Sequence, residues 1–582
     1  MSNLNYNLFT FAPAIAGIAA HLGYFIHGEH HMQAFQWFLT TVFSPLFVFL
    51  TILKFDITSS YMTALKLTAI VLTSFFTSLT GSILIYRIFF HPLRHFPGPF
   101  AAKCSKLTHT MRLIEKSDNY LQTHALHGVY GDIVRIGPNE LSITKPEAVQ
   151  ALIGLGSKCI KSPWYDVVAL PHTTMHSERD RVTHDKRRKV WDRGFSTKAL
   201  RNYEGRVTSY ADELVAQLDA FRGKAVNATH WFNYYAFDAI GDLGFGKPFD
   251  MLKTGEKVSP HNALKLLHEV QVPLGFLSPI PWIFPILIKA PRLMDGLNGF
   301  ISFCSKQIDI RRVNEPSVPD IMTWLIDAHK SDPDPVHKDP RWLYGDSRLV
   351  IIAGSDTTSA TLTYLFYHLC LEPHHIAKLR EELEPIFTPG SPNECRDIQY
   401  APYLNGVINE TLRLHPAVPS GLLRQTPPEG LTIDGTYIPG NVTISTPTWT
   451  MGRLKSSYPS PHTFLPTRWF PDPENAKFLL DKSTFTPFGA GNYSCIGKQL
   501  ALMELRAVVA RIVTRFDVGF AEGEVGEKLT GSEWGIDGRG DGEVGGKGIG
   551  LSGNQDTREV FTFELGDLMM VFRERKCGGE IW

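Results

Sequence analysis

Three apolar stretches, near Leu8–Ile26, Phe35–Leu53 and Leu67–Phe90, fill the first ninety residues, which carry only five charges: Glu29, Lys54, Asp56, Lys66 and Arg87. Each stretch approaches the roughly 20 residues that cross a hydrocarbon core about 30 Å thick. Residues 1–90 therefore read as a membrane anchor with up to three transmembrane helices. The third stretch is the strongest and the first the weakest, since Pro13 and His21 interrupt it. A cleaved signal would need a basic opening segment, yet the first Lys or Arg stands at position 54, so retained spans are expected. Arg87, Arg94, Lys103 and Lys106 follow the third span and place everything downstream in the cytosol by the positive-inside rule, although Lys54 and Lys66 pull the other way.

The segment His91-Pro-Leu-Arg-His-Phe-Pro-Gly-Pro99 cannot continue a helix. Residues 91–110 read as a proline-rich hinge, and residues 111–582 as the catalytic domain. Charge supports this division. The 58 Lys+Arg balance 58 Asp+Glu, but residues 1–110 alone hold six bases and two acids. No domain-wide basic field remains to bind nucleic acid. The seven cysteines are odd in number and form no C-x-x-C pair, which fits a reducing compartment and excludes the usual structural zinc spacings.

Beyond the hinge, apolar residues recur at spacings of three and four over Val182–Leu200, Tyr203–Phe221, Trp342–Leu371, His374–Ile386, Tyr403–Leu414 and Lys498–Phe516. Strand-like runs are short: Ile133–Ile136, Leu141–Thr144, Leu431–Ile433 and Thr443–Thr446. The fold class is mainly α with small β elements. Residues 270–291 are apolar enough for a fourth span, but Pro273, Pro279, Pro281 and Pro285 favour a loop dipping into the membrane interface. Glu522–Gly553, with 12 glycines, seven acids and three bases, reads as a flexible acidic insertion.

Chemistry concentrates in Phe485–Ala501, FTPFGAGNYSCIGKQLA. Cys495 lies in a glycine-rich loop that leads into a helical pattern, where backbone amides favour a thiolate. Gly491 and Gly497 would allow a tight turn and the close approach of a flat ligand. A buried structural cysteine is the commonest alternative. A phosphate-binding loop fails on spacing, because five residues separate Gly491 from Gly497 and Gln499 follows Lys498. A cysteine protease would need a histidine partner that no local pattern supplies.

Phe488-x-x-Gly491-x-x-x-Cys495-x-Gly497 resembles the haem-binding signature of the cytochrome P-450 superfamily of haem-thiolate monooxygenases. Three further segments resemble that family in the same chain order. Ala353-Gly-Ser-Asp-Thr-Thr358 is similar to its oxygen-activating helix motif, with Gly354 opening space for a ligand. Taken alone, that segment reads first as a threonine bonded to its own i−4 carbonyl in a core helix. Glu410-Thr-Leu-Arg413 with Arg468 is similar to the family's buried Glu/Arg/Arg triad. His184 and Arg188, within Thr183–Trp191, and Arg424 match its propionate-binding positions. Tyr493 departs from the pattern, because a basic residue usually stands two places before the cysteine.

The resemblance covers roughly residues 91–580 and implies a P-450 fold behind the transmembrane helices. It implies haem b with Cys495 as axial ligand, whose thiolate favours O–O cleavage. His184, Arg188, Arg424, Phe488, Gly491 and Gly497 become cofactor-binding, and Asp356 and Thr357 catalytic, relaying protons. Electrons are expected from an NADPH-cytochrome reductase, with cytochrome b5 as a second donor. Lys186, Arg187 and Lys189 would help form its docking surface. The expected setting is the endoplasmic reticulum membrane. The expected substrate is small, apolar or amphipathic, enters near residues 270–291, and meets Trp164–His176, the helix around Ile352–Thr357 and Val418–Leu422. The N-terminal region resembles fungal enzymes of secondary metabolism, tryprostatin hydroxylases among them. A haem-thiolate isomerase or dehydratase, and a non-enzymatic haem-binding membrane sensor, are the competing functions.

Overall fold

The apolar stretches form helices Tyr6–Ala20, Ala34–Lys54 and Tyr61–Ile85, extended by short turns to spans of 19, 24 and 30 residues. These come from a computed structural model that describes residues 6–58, 60–255, 260–290, 294–521, 558–559 and 562–575. All three spans are long and apolar enough to cross a membrane. The third begins at Tyr61 rather than near Leu67, because Ser60 caps its first turn by accepting from the Thr63 N–H. His21 does not break the first span. Its Nδ1 lies 2.8 Å from Ser82 Oγ on the third helix, and Gly17 packs so closely there that a Cβ would meet Ser78 Oγ at 2.3 Å. Small residues and interhelical polar contacts are how helices pair in lipid. Outward, Phe43, Leu46, Phe47 and Leu50 are exposed along one side of the second helix.

The chain divides into two compact units, one comprising Met1–Met111, Val134–Leu141 and Leu277–Asp295, the other Arg112–Ile133, Ser142–Phe276 and Gly296–Trp582. In the first unit Arg135, fully buried, ties down the hinge. It donates to the carbonyls of Arg87, Gly137 and Pro138, and its N–H bonds Pro97 O at 2.7 Å. Gly98 at φ +153° touches Arg135 O so closely that no side chain would fit. Within 270–291 the expected loop is partly helical: helix Pro260–Leu277 runs through Pro273, which removes one backbone donor. The helix Phe284–Leu287 then packs on the second apolar helix.

The second unit is built on helix Arg341–Leu371, which packs along helix Ala228–Phe245. The latter had no amphipathic signature because it is buried on every face. Phe232 stacks on Phe366 with ring centres 5.2 Å apart, inside one continuous apolar core. The stretch Val182–Leu200 is two helices, Arg181–Gly194 and Thr197–Ala220, because Ser196 caps a new start by accepting from the Ala199 N–H. Strands are short, as expected. Arg424–Gln425 pairs antiparallel with Ile160–Lys161 on one side and Thr443–Ser445 on the other. Met569–Glu574 joins Phe516–Phe520 and Val226–Asn227. The acidic stretch Glu522–Gly553 lies outside the described residues.

Candidate active site

The loop carrying Cys495 closes on itself: the Cys495 N–H donates to Phe488 O at 2.8 Å, and Phe488 packs against the core. Gly491 has φ +59°, and a Cβ there would lie 2.5 Å from Ile153 O. Its smallness therefore serves the approach of the loop to residues 153–154, not that of a flat ligand. Gly497 differs. At φ −78° its Cβ would meet nothing among the described residues nearer than Cys495 Sγ and Phe195 at 3.9 Å, so none of them demands a glycine. The Cys495 side chain is exposed. Protein packed behind it pushes the thiol pKa up, while the N–H groups of Gly497 and Lys498 at the start of helix Lys498–Arg515, and the charge of Arg188, pull it down.

Helix Arg181–Gly194 presents His184, Arg187 and Trp191 to the interior. Arg187 is 1% exposed and pairs with the fully buried Asp346, which also accepts from Trp191 Nε1 at 3.1 Å. This overturns its assignment to a docking surface: spacings of three and four place it on the buried face with His184 and Trp191. Lys186 pairs with Asp334 at 2.8 Å, and Lys189 is exposed. Arg188 reaches the loop itself, donating from Nη1 to Ser494 O at 2.7 Å and from Nε to Asp192 at 2.9 Å. The buried His184 ring lies 4.6 Å from the Tyr493 ring, with Nδ1 3.0 Å from Asp185. Burial, reinforced by Lys161, pushes its pKa down to about 4, so it is a neutral imidazole at pH 7.

Mid-way along helix Arg341–Leu371, Ala353 is exposed and Thr357 partly so, one turn apart on one face of an otherwise largely buried helix. Thr357 Oγ1 donates to Ala353 O at 3.0 Å, leaving the hydroxyl oxygen able to accept. Asp356 points elsewhere, is buried, and accepts from Gln271 Nε2 at 2.7 Å. Gly354 does not open space for a ligand, because the Ile240 side chain occupies it: a Cβ would meet Ile240 Cγ1 at 2.4 Å. The next residue, Thr358, donates to Glu504 at 3.1 Å. Burial pushes the Glu504 pKa up to about 8, against the pull of that hydrogen bond, so this carboxyl is protonated at neutral pH. Neither Gln271 nor Glu504 was expected from sequence. The available signal was that Glu504 is the only acid in its helix; Gln271, two places after Glu269, carried none.

A family profile described as Cytochrome P450 matches residues 106–535. The chain belongs to the cytochrome P450 family. It is 40% identical over 525 residues to a cytochrome P450 monooxygenase of Fusarium pseudograminearum, covering 90% of this chain and 93% of the relative. It is 40% identical over 521 residues to the tryprostatin B 6-hydroxylase of Aspergillus fumigatus, covering 88% and 91%. The crystal structure of the cytochrome P450DA heme domain shares the fold, with TM-score 0.62 and 17% identity, covering 80% of this chain and 94% of that one. The family implies a haem iron with a cysteine thiolate ligand, in a haem-thiolate monooxygenase.

The residues of this P450 fit that group. An exposed thiolate-forming side chain stands beside a glycine that no atom of the described residues requires, and cations are buried nearby. Arg424 is 1% exposed, and its Nε has no acceptor among the described residues. A planar iron cofactor bearing carboxylates matches this donor set. The P450 also contains the buried triad. Glu410 accepts from Arg413 at 2.7 and 2.9 Å, from Arg468 Nε at 3.0 Å and from Trp469 Nε1 at 2.9 Å, and all three charged side chains are fully buried. Burial alone would raise the Glu410 pKa, but the two guanidiniums hold it below its ordinary value. The segment Trp164–His176, which opens with the short helix Trp164–Val168, is fastened to the long helix. Arg348 donates to the carbonyls of Val168, Leu170 and His172, and Asp346 accepts from the Met175 N–H.

Proposed function

We propose that this P450 is a membrane-anchored monooxygenase that inserts one oxygen atom from dioxygen into a small apolar or amphipathic substrate, a hydroxylation or epoxidation in fungal secondary metabolism. The observation that carries this reading is the accessible Ala353–Thr357 face in a largely buried helix, with a carboxylate held at the adjacent residue. When bound, haem b supplies dioxygen activation. Cys495 would hold its iron, and Arg424, Arg188 and the neutral His184 would hold its carboxylates, with Phe488 and Gly497 bordering it. Arg188 fixes the loop through Ser494 O, and the amides at the start of helix Lys498–Arg515 favour the thiolate. Thr357 Oγ1, released from Ala353 O, would donate to the reacting oxygen and be reprotonated in a relay that starts from Asp356 in its acid form. Gln271 keeps that carboxylate in one orientation.

Electrons would come from an NADPH-cytochrome reductase, with cytochrome b5 as a second donor, in the endoplasmic reticulum membrane and on its cytosolic side. The segment Leu277–Asp295 groups with the apolar helices and is expected at the lipid surface. One relative is named a tryprostatin B 6-hydroxylase, and tryprostatin B is the first substrate to try. The test is NADPH and dioxygen consumption by the full chain reconstituted with reductase, with product mass measured under labelled dioxygen. Product gains one labelled oxygen if the reading holds. Turnover that persists without dioxygen would instead indicate an isomerase or dehydratase.

A further inference from the structure

The turn after the long helix gathers three metal-ligating side chains. Pro373 disfavours the right-handed helical conformation at Glu372 (φ −128°, ψ 75°), so helix Arg341–Leu371 stops there and the chain turns into helix His374–Leu383. The His375 N–H donates to Glu372 O at 3.0 Å and closes the turn. Glu372, His374 and His375 then each offer one ligand atom, all within 4.8 Å of one another, and the two imidazole rings stand 4.0 Å apart centre to centre. Glu372 Oε2 lies 3.6 Å from His375 Nε2, beyond hydrogen-bond length. Two ligands held at about 2.0–2.1 Å on one tetrahedral ion stand about 3.4 Å apart, so that separation suits a shared ion better than a shared proton.

His375 points most clearly to a ligand. It is 4% exposed, yet its Nε2 is buried with no hydrogen-bond partner among the described residues, a state that costs stability unless something fills it. Its Nδ1 lies 2.6 Å from Tyr403 Oη and Phe464 packs edge-on at 5.2 Å, so the ring is held with Nε2 toward Glu372. A ligating imidazole is oriented in this way, its second nitrogen bonded to an outer partner that fixes the tautomer. Burial, then the neighbouring His375, pushes the His374 pKa down, so that imidazole is neutral at pH 7 and free to ligate. Interaction with His375 holds the Glu372 carboxyl below its ordinary value, in the charged form. Lys378, one turn along the same helix, has its ammonium 5.7 Å from the centre of the Tyr403 ring. We propose that Glu372, His374 and His375 form a zinc site with water as the fourth ligand. Two imidazoles and one carboxylate suit zinc, whereas magnesium and calcium take oxygen ligands. The ion would join the end of the helix that carries Thr357 to the start of the next and, through Tyr403, to helix Pro402–Leu414, which carries Glu410.

The experiment titrates the untagged full-length chain with zinc at buffered free concentrations and measures bound zinc by mass spectrometry, for wild type, Glu372→Gln, His374→Ala and Tyr403→Phe. Wild type should hold one zinc that His374→Ala does not, and the zinc K-edge absorption of that ion should show imidazole nitrogens at about 2.0–2.1 Å. Tyr403→Phe should bind it about 10- to 100-fold more weakly, the usual cost of an outer partner, and loss of the Glu372 or His374 ligand should cost more than that. Zinc should raise the urea midpoint of wild type and leave that of His374→Ala unchanged, because only a site present in the folded chain couples binding to stability. Glu372 and His374 lie at the surface end of the turn, so both variants should match the wild-type midpoint closely in zinc-free buffer. Equal zinc uptake by wild type and His374→Ala, or undiminished affinity in Glu372→Gln, would mean an adventitious ion only and overturns the inference. So does bound zinc whose edge spectrum lacks imidazole.

Discussion

Replacing Glu410 with alanine should strand two arginines in the protein interior. In the native fold its carboxylate accepts from Arg413 Nε and Nη2, Arg468 Nε, Trp469 Nε1 and the Leu465 N–H, with no solvent access to any of the three charged side chains. Removing one partner of a buried ion pair costs about 3–5 kcal/mol. The two neutral donors left unpaired add about 1 kcal/mol each. Against this, Arg413 keeps the carbonyls of Gly452, Pro461 and Thr463, and Arg468 keeps those of Pro459, Ser460 and Phe478. The net loss should be about 4 kcal/mol. With a urea slope of about 3 kcal/mol per molar for a chain of this size, the midpoint falls by about 1.3 M. Pulse proteolysis of the detergent-solubilised chain reads that midpoint directly. The triple change Glu410→Ala/Arg413→Met/Arg468→Met should recover part of the loss, because no charge is left unpaired. A Glu410→Ala shift below about 0.3 M, the size expected of an exposed pair, would refute the reasoning.

Glu504 gives a pH signature. Its folded pKa of about 8 lies above the ordinary carboxyl value, so its contribution to stability is complete below about pH 4.5 and is lost progressively as pH rises through 8. Glu504→Gln removes that slope, and its urea midpoint relative to wild type should climb between pH 5 and pH 8; a constant difference would contradict the burial argument. Arg187→Met should leave Asp346 buried and unpaired and lower stability by about 3–5 kcal/mol, whereas Lys189→Glu should leave the unfolding midpoint in place and weaken only reductase affinity. Equal behaviour of the two variants would contradict the division of that basic helix into a buried and an exposed face.

What the sequence displays plainly is what repeats or is punctuated. Long apolar runs marked the three spans, and Pro373 marked the end of the helix that leaves Glu372 as its C-cap. The motifs around Cys495, Asp356 and Glu410 gave the family because their residues stand close together in the chain. Features set by tertiary approach were hidden. Gly354 and Gly491 looked like room for a ligand, but their Cβ positions are taken by Ile240 and by the carbonyl of Ile153. Arg187 looked like part of a surface patch, but its acid partner is 159 residues away, on the long helix. Helix Ala228–Phe245 had no polar face to give it a period. Lys161 and Arg424 are 263 positions apart, and only strand register makes them neighbours. Glu504, the only acid in its helix, and Gln271 acquire meaning only when Thr358 and Asp356 are found against them.

The central claim is that Cys495 ligates a haem iron in the second unit of this P450. It is tested most directly by the spectrum of the reduced, carbon monoxide-treated full chain, recorded for wild type and for Cys495→Ser. Wild type should show the red-shifted Soret band of a thiolate-ligated haem, and Cys495→Ser should lose it while its apoprotein remains folded. A folded, haem-loaded wild type without that band, or a Cys495→Ser protein that retains it, would contradict the claim.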